Sequence, residues 1–197
     1  MATTLPVPLV LASSSPRRRE LLVQIGVTPT RIASPDIDET PARGELPRAY
    51  ALRMATQKAL AVNRAQDEAV LAGDTVVAVG RRILPRAADA AAVAACLTLL
   101  SGRRHRVFSA IAVIDADGLL RARLSETVLT FKRLHRDEIA AYAASGEGEG
   151  KAGGYAIQGT AALFVHALMG SHSGVVGLPL YETGVLLGAA GVLRHHG

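Results

Sequence analysis

The chain of 197 residues has one cysteine, no tryptophan and only seven other aromatic residues, three Phe and four Tyr. The lone Cys96 excludes an internal disulfide. Its setting in the alanine-rich run AAVAACLTLL reads as a small buried apolar group. So few aromatics leave little for the base stacking on which single-stranded nucleic acid binding depends. Acidic residues are also in deficit: 17 Asp and Glu face 22 Lys and Arg, for a net charge of +5. The cations are scattered rather than striped, so the expected partner is not nucleic acid but a small anion such as a polyphosphate or nucleotide. Missing as well are the P-loop pattern G-x-x-x-x-G-K-[ST], the dinucleotide fingerprint G-x-G-x-x-G, the H-E-x-x-H zinc motif and any cysteine pair for zinc. No membrane partner is expected, because no apolar run has the length of a span. The N-terminal stretch MATTLPVPLVLASSSP lacks the basic lead of a signal peptide, and a cytoplasmic location follows as the expectation.

What is present fits an ordinary globular protein, with 49% apolar and 20% charged residues, and one domain over residues 1–197 is expected. VPLVLA is a strand-length apolar run broken by SSSP. Ser15 and Pro16 then read as the cap and first residue of a helix, with Gly26 as its terminator. A long helix is predicted from about Pro47 to Gln66. AVLAGDTVVAVG follows as a buried strand with Asp74 in its middle, then an Ala-rich helix from about Asp89 to Leu100 that ends before Gly102. HRVFSAIAVI, the turn DADG and LLRARLSETVLTFKRL predict a hairpin. RDEIAAYAAS predicts a short helix. The segment GEGEGKAGGYAIQG has six glycines in fourteen residues and is either a flexible insertion or a loop shaped around a ligand. A last helix begins near Tyr181. Such a mixture predicts an α/β or α+β domain around a central sheet.

Three features point to chemistry. Arg17, Arg18 and Arg19 stand in the first turn of the first helix, where the positive end of the macrodipole disfavours cations by about 0.3–1 kcal/mol each. An anion held there, with Ser13, Ser14 and Ser15 alongside, would remove that conflict; the alternative is a solvated basic turn. Asp74 lies among apolar neighbours and must be hydrogen-bonded, paired or metal-bound. Its structural alternative is a turn-closing residue after Gly73. Lys58 has Met54, Ala55, Ala61 and Val62 three and four positions away, which puts its ammonium on the inner face. There it either snorkels outward or neutralises a buried anion. Asp38 and Glu39 add an acidic pair in a loop.

The strings LASSSPRRRELL, DIDET, QKA, AGDTVV, LSGRRH, KAGGYAIQG and GSHSGVVGLPL, in this order over nearly the whole chain, resemble the Maf family of nucleoside triphosphate pyrophosphatases. The resemblance implies an α/β fold with an elongated, twisted mixed sheet, flanking helices and two lobes around a cleft, similar to inosine triphosphate pyrophosphatase. It implies a homodimer that hydrolyses a nucleoside triphosphate between the α and β phosphates with Mg²⁺ or Mn²⁺, and a link to septum formation. By position, Asp74 matches the catalytic carboxylate and metal ligand, Glu39 the second metal ligand, and Lys58 an active-site lysine. Ser13, Arg17 and Arg18 match the triphosphate-binding turn, while Arg19 has no such counterpart. Arg17, Thr75 and Gln158 match the branch acting on dTTP and UTP, including modified pyrimidine nucleotides. The branch acting on 7-methyl-GTP tends to carry Trp, Gln and Glu instead, and a regulator of division with incidental hydrolysis is the alternative of another class. Arg86 stands where relatives carry Lys. The loop over 146–151 lacks a Pro and an Asp common in relatives, which predicts greater flexibility.

Overall fold

The computed structural model describes residues 7–193. The last four residues, with His195 and His196, and the first six residues of the N-terminal stretch lie outside the described residues. In chain order the elements are β1 (Leu9–Ala12), α1 (Pro16–Gln24), β2 (Arg31–Ile32), α2 (Pro47–Leu60), β3 (Ala69–Val79), β4 (Arg82–Leu84) and α3 (Ala90–Leu100). There follow β5 (Arg104–Ile114), β6 (Leu120–Phe131), α4 (Arg136–Ala144), a 3₁₀ turn (Thr160–Phe164), β7 (Val165–Met169), α5 (His172–Val176) and α6 (Leu180–Ala189). The strands form one mixed sheet in the order β2-β1-β3-β5-β6-β7, with β4 added to β3. β1 runs parallel to β2 and β3, and the other pairings are antiparallel.

Local chemistry explains most boundaries. Ser15 caps α1 with extended backbone and Pro16 opens it. Asp89 caps α3 by accepting the Ala92 amide at 2.8 Å. The DADG turn closes the β5–β6 hairpin, with Gly118 at φ +85° and Asp115 accepting the Leu119 amide at 2.8 Å. One boundary differs from the sequence reading. α2 ends at Leu60 rather than near Gln66, because side chains beyond it compete for the backbone. Arg64 donates to the carbonyls of Glu68 and Ala116, and the Glu68 carboxylate takes the Ala65 amide. These bonds turn the chain into β3 instead of extending the helix.

Alternation along β3 decides which residue serves which face. Val70, Ala72, Val76 and Ala78 join α2's Ala51, Met54, Ala55 and Ala59 in one apolar cluster. Ala69, Leu71 and Val77 join a larger cluster with residues of α1, α3, α5 and α6 on the other face. Asp74 therefore points toward α2, and Thr75 toward α5. The first cluster is alanine-rich on the helix side, which lets α2 approach the sheet closely.

The sheet also has a gap. On one edge β3 pairs with β1 through Ala69–Ala72 and with β4 through Val77–Val79. Between them, Gly73, Asp74, Thr75 and Val76 have a strand neighbour on the β5 side alone. The gap opens beyond the C-terminal end of β1, where open α/β sheets place their ligands.

Candidate active site

The loop between β1 and α1 fills the edge of this gap. The buried Ser13 hydroxyl accepts from the Ser15 amide at 3.2 Å and from Arg18 Nη1 at 2.9 Å. Arg18 Nε donates to the Gly177 carbonyl at 2.9 Å. Arg18 thus lines the cavity wall but spends two of its nitrogens on the protein, tying the loop to the end of α5. A Cβ at Gly73 would lie 3.4 Å from Arg18 Nε and 3.3 Å from the Ala110 carbonyl, so a side chain there would press on the guanidinium. Burial pushes the Arg18 pKa down to about 10. Arg17 is half-buried at the cavity, and burial together with the charge of Arg86 lowers its pKa. Arg19 is exposed and lines a separate shallow depression with Glu20, Val23 and Ile32. The three consecutive arginines therefore have three different environments.

On the α2 side, Lys58 is buried and its Nζ lies 2.7 Å from Asp74 Oδ1 and 2.8 Å from Glu39 Oε1. Of the two alternatives for Lys58, the structure shows neutralisation rather than snorkelling. Asp74, 2% exposed, stands in mid-strand and closes no turn. Burial alone would raise the Glu39 carboxyl, but the hydrogen bond and charge of Lys58 outweigh it and hold the group below its usual range. The loop carrying Glu39 is tied down by α2 itself. Tyr50 donates to the Glu39 carbonyl at 2.7 Å, and Arg53 donates to Thr40 O at 3.1 Å while making a two-pronged contact with Glu45. Burial and the nearby Asp74 and Glu39 charges push the Tyr50 hydroxyl up to about 12. Neither Tyr50 nor Arg53 was singled out by the sequence; their only sign was a position on the same helix as Lys58.

The third wall comes from the glycine-rich segment, which is a tied loop rather than a loose insertion. Gly150 donates to Ala87 O at 2.7 Å, Ala87 to Lys151 O at 3.1 Å and Gly153 to Pro85 O at 3.1 Å. These bonds hold Lys151 beside Arg86 at the cavity, and burial with the charges of Arg17 and Arg86 lowers the Lys151 pKa. Arg86 is more than half exposed, with Nη2 3.6 Å from both Asp74 Oδ1 and Glu39 Oε2. Gln158 is exposed at the rim of the same cleft, lined also by Ser14, Ser34 and Pro35. Thr75, on the opposite face of β3 from Asp74, accepts from Ser109 Oγ at 3.3 Å and lines the pocket floor with Val77 and Tyr155. One continuous cleft therefore brings together Ser13, Arg17, Arg18, Glu39, Lys58, Arg86, Lys151 and Gln158, with Asp74 behind Lys58. No group of three or more His, Cys, Asp or Glu among the described residues could by itself hold a metal ion.

A mixed α/β sheet whose broken edge gathers paired carboxylates against several cations defines the class of protein with a cleft suited to a polyanion. The particular family follows from comparison: residues 8–190 match the Maf-like proteins, and the chain belongs to this family. It is 62% identical over 184 residues to a Sphingopyxis alaskensis protein named dTTP/UTP pyrophosphatase, covering 93% of this chain and 97% of that one. A Novosphingobium aromaticivorans protein of the same name is 63% identical over 185 residues, covering 93% and 92%. A Rhodospirillum rubrum protein, also so named, is 60% identical over 185 residues, covering 93% and 88%. Among solved structures, the Mycobacterium abscessus dITP/XTP pyrophosphatase is 22% identical, with a TM-score of 0.41 over 64% of this chain and 75% of that one. No helix among the described residues is long and apolar enough to cross a membrane.

Proposed function

We propose that the chain hydrolyses dTTP and UTP between the α and β phosphates, releasing the nucleoside monophosphate and pyrophosphate. The observation that carries this reading is the facing of the Lys58–Asp74–Glu39 cluster by Arg17, Arg86 and Lys151 across one cleft. The names of relatives more than half identical over nearly the whole chain supply the substrate. In this reading Arg17, Arg86 and Lys151 bind the β and γ phosphates, and Ser13 and Arg18 keep the turn in shape beneath them. Gln158 offers an amide that both donates and accepts, as a uracil or thymine edge requires, and Thr75 packs the floor. Asp74 takes the proton of the attacking water as its oxygen bonds to phosphorus and the α–β bridging bond breaks. Lys58 aims both carboxylates, since its one ammonium is shared between them.

Asp74 and Glu39 converge closely enough to share one ammonium, and two oxygen-donating carboxylates suit a hard cation completed by substrate phosphates. They would hold Mg²⁺ or Mn²⁺, which supplies neutralisation of charge on the phosphates. The protein acts in this reading as a single-domain protomer of a cytoplasmic homodimer.

A panel of dTTP, UTP, dCTP and 7-methyl-GTP, with pyrophosphate and orthophosphate measured separately, tests the proposal. The expected outcome is pyrophosphate from dTTP and UTP with the highest kcat/KM. Orthophosphate alone, or a preference for 7-methyl-GTP, overturns it. Sedimentation of the purified protein at micromolar concentration tests the dimer.

A further inference from the structure

The glycine-rich loop is tied twice, in two different ways. Its waist, at Gly150, Lys151 and Gly153, is held by main-chain bonds to Pro85 and Ala87. Its ends are held by side chains. The Tyr142 hydroxyl donates to Glu147 Oε1 at 3.1 Å and accepts from the Ala156 amide at 3.0 Å. Glu147 Oε2 in turn accepts the Thr160 amide at 3.1 Å. One phenol and one carboxylate therefore close the loop just outside Gln158 on both sides. The closure is tight: a Cβ at Gly159 would lie 2.2 Å from Glu147 Oε1, and one at Gly148 would lie 2.3 Å from the Gly154 carbonyl. Either addition would push the carboxylate or the loop backbone away. Tyr142 is 3% exposed and packs edge-on against Phe164 with ring centres 5.3 Å apart, so it holds the loop from behind without reaching the cleft.

We propose that Tyr142 and Glu147 are positioning residues that form the neck of the substrate-binding loop and set the place of Gln158 independently of Lys151. The proposal rests on the reading of Gln158 as the group that meets the nucleobase. Because the waist needs no side chain, loosening the neck frees the Gln158 end while Lys151 stays pinned beside Arg86. Recognition of the base and recognition of the phosphates are then separable by substitution at Tyr142, which lies outside the cleft that Glu147 helps to line.

The test uses Tyr142→Phe, which keeps the ring against Phe164 and removes the hydroxyl; Glu147→Ala, whose side chain also lines the cleft, is a second variant read by amide exchange alone should the first fold poorly. KM for dTTP should rise about tenfold, the cost of one or two lost hydrogen bonds, with kcat and the inhibition constant of inorganic pyrophosphate within about twofold of the parent protein. Amide exchange at Ala156 and Thr160 should quicken while that at Gly150 and Gly153 does not. Gln158→Ala should add less than about twofold in the Tyr142→Phe background, since the two act through one contact. An unchanged KM with unchanged exchange overturns the neck. So does a pyrophosphate constant that rises in step with KM, which would mean that the whole loop has come apart. Failure of the parent protein to turn over dTTP overturns the reaction reading instead, and the exchange pattern still decides whether the neck exists.

Discussion

At the α2 side of the cleft Lys58 stands between Asp74 and Glu39 at 2.7 and 2.8 Å, two negative charges sharing one positive. At the loop side Arg17, Arg86 and Lys151 face the same space; beyond the effect of burial, Arg86 lowers the pKa of both Arg17 and Lys151, and Arg17 that of Lys151. The first group is compensated by its own protein. Removal of Lys58 leaves the buried Asp74 without its close cation, and removal of Asp74 leaves the buried Lys58 only the more exposed Glu39. The second is mostly repulsive, relieved within the protein by the long contacts of Arg86 with Asp74 and Glu39, and in the proposed function an anion in the cleft completes it. In the proposed function, opposed charge built this way lets one side carry structure and chemistry together while the other serves binding.

The sharpest way to break the comparison is Asp74→Asn. Turnover should fall about a thousandfold, and stability should fall by about 3 kcal/mol because Lys58 keeps only Glu39. A thermal or denaturant melt with the activity assay reads both, and retained stability would show that the α2 side is not self-compensated. Arg17→Ala should behave the other way. It should lower kcat/KM about a hundredfold while leaving the melting temperature unchanged or raised, since one like charge is gone. Arg19→Ala, whose side chain points elsewhere, should stay within about twofold. Equal losses at positions 17 and 19 would undo the assignment of separate environments to the run of arginines.

A smaller effect lies in pH. Lys151 has its pKa lowered by burial and by Arg17 and Arg86, so it loses its proton at lower pH than a free lysine, and pyrophosphate binding should weaken as pH rises through that lowered range. Arg17→Ala removes one source of the depression and should move this alkaline limb upward. A limb that stays in place would mean that the cations do not feel one another. Arg86→Lys should cost only about threefold in kcat/KM. Arg86 is mostly exposed and its 3.6 Å contacts with Asp74 and Glu39 are long, so a lysine should serve nearly as well; a loss near that of Arg17→Ala would give Arg86 a larger part.

Much of this was legible in the sequence because it depended on local pattern. The apolar positions around Lys58 foretold an inner-face ammonium, the run around Asp74 foretold a central strand, and the missing motif role of Arg19 agrees with its exposure. The end of α2 was not legible, since the side chains that stop it find carbonyls as distant as Ala116. Nor was the fate of Arg18, whose partner Gly177 lies 159 residues away. The glycine count of the 146–159 segment left flexibility and shape equally open, and only pairing with Pro85 and Ala87 separates them. What the sequence withheld is the set of contacts that local propensity does not encode.

The alternation of β3 has a further consequence, one of tolerance. Asp74 and Thr75 are adjacent in the chain yet serve opposite faces, so sliding β3 by one residue against its neighbours would exchange them. The same slip would turn Leu71 and Val77 out of one apolar layer and Val70 and Ala72 out of the other. Placement of the carboxylate is therefore indexed to the packing of eleven strand residues. The alignment of the chemistry is inherited from the core, and a substitution that relaxes that packing would misplace Asp74 without touching it.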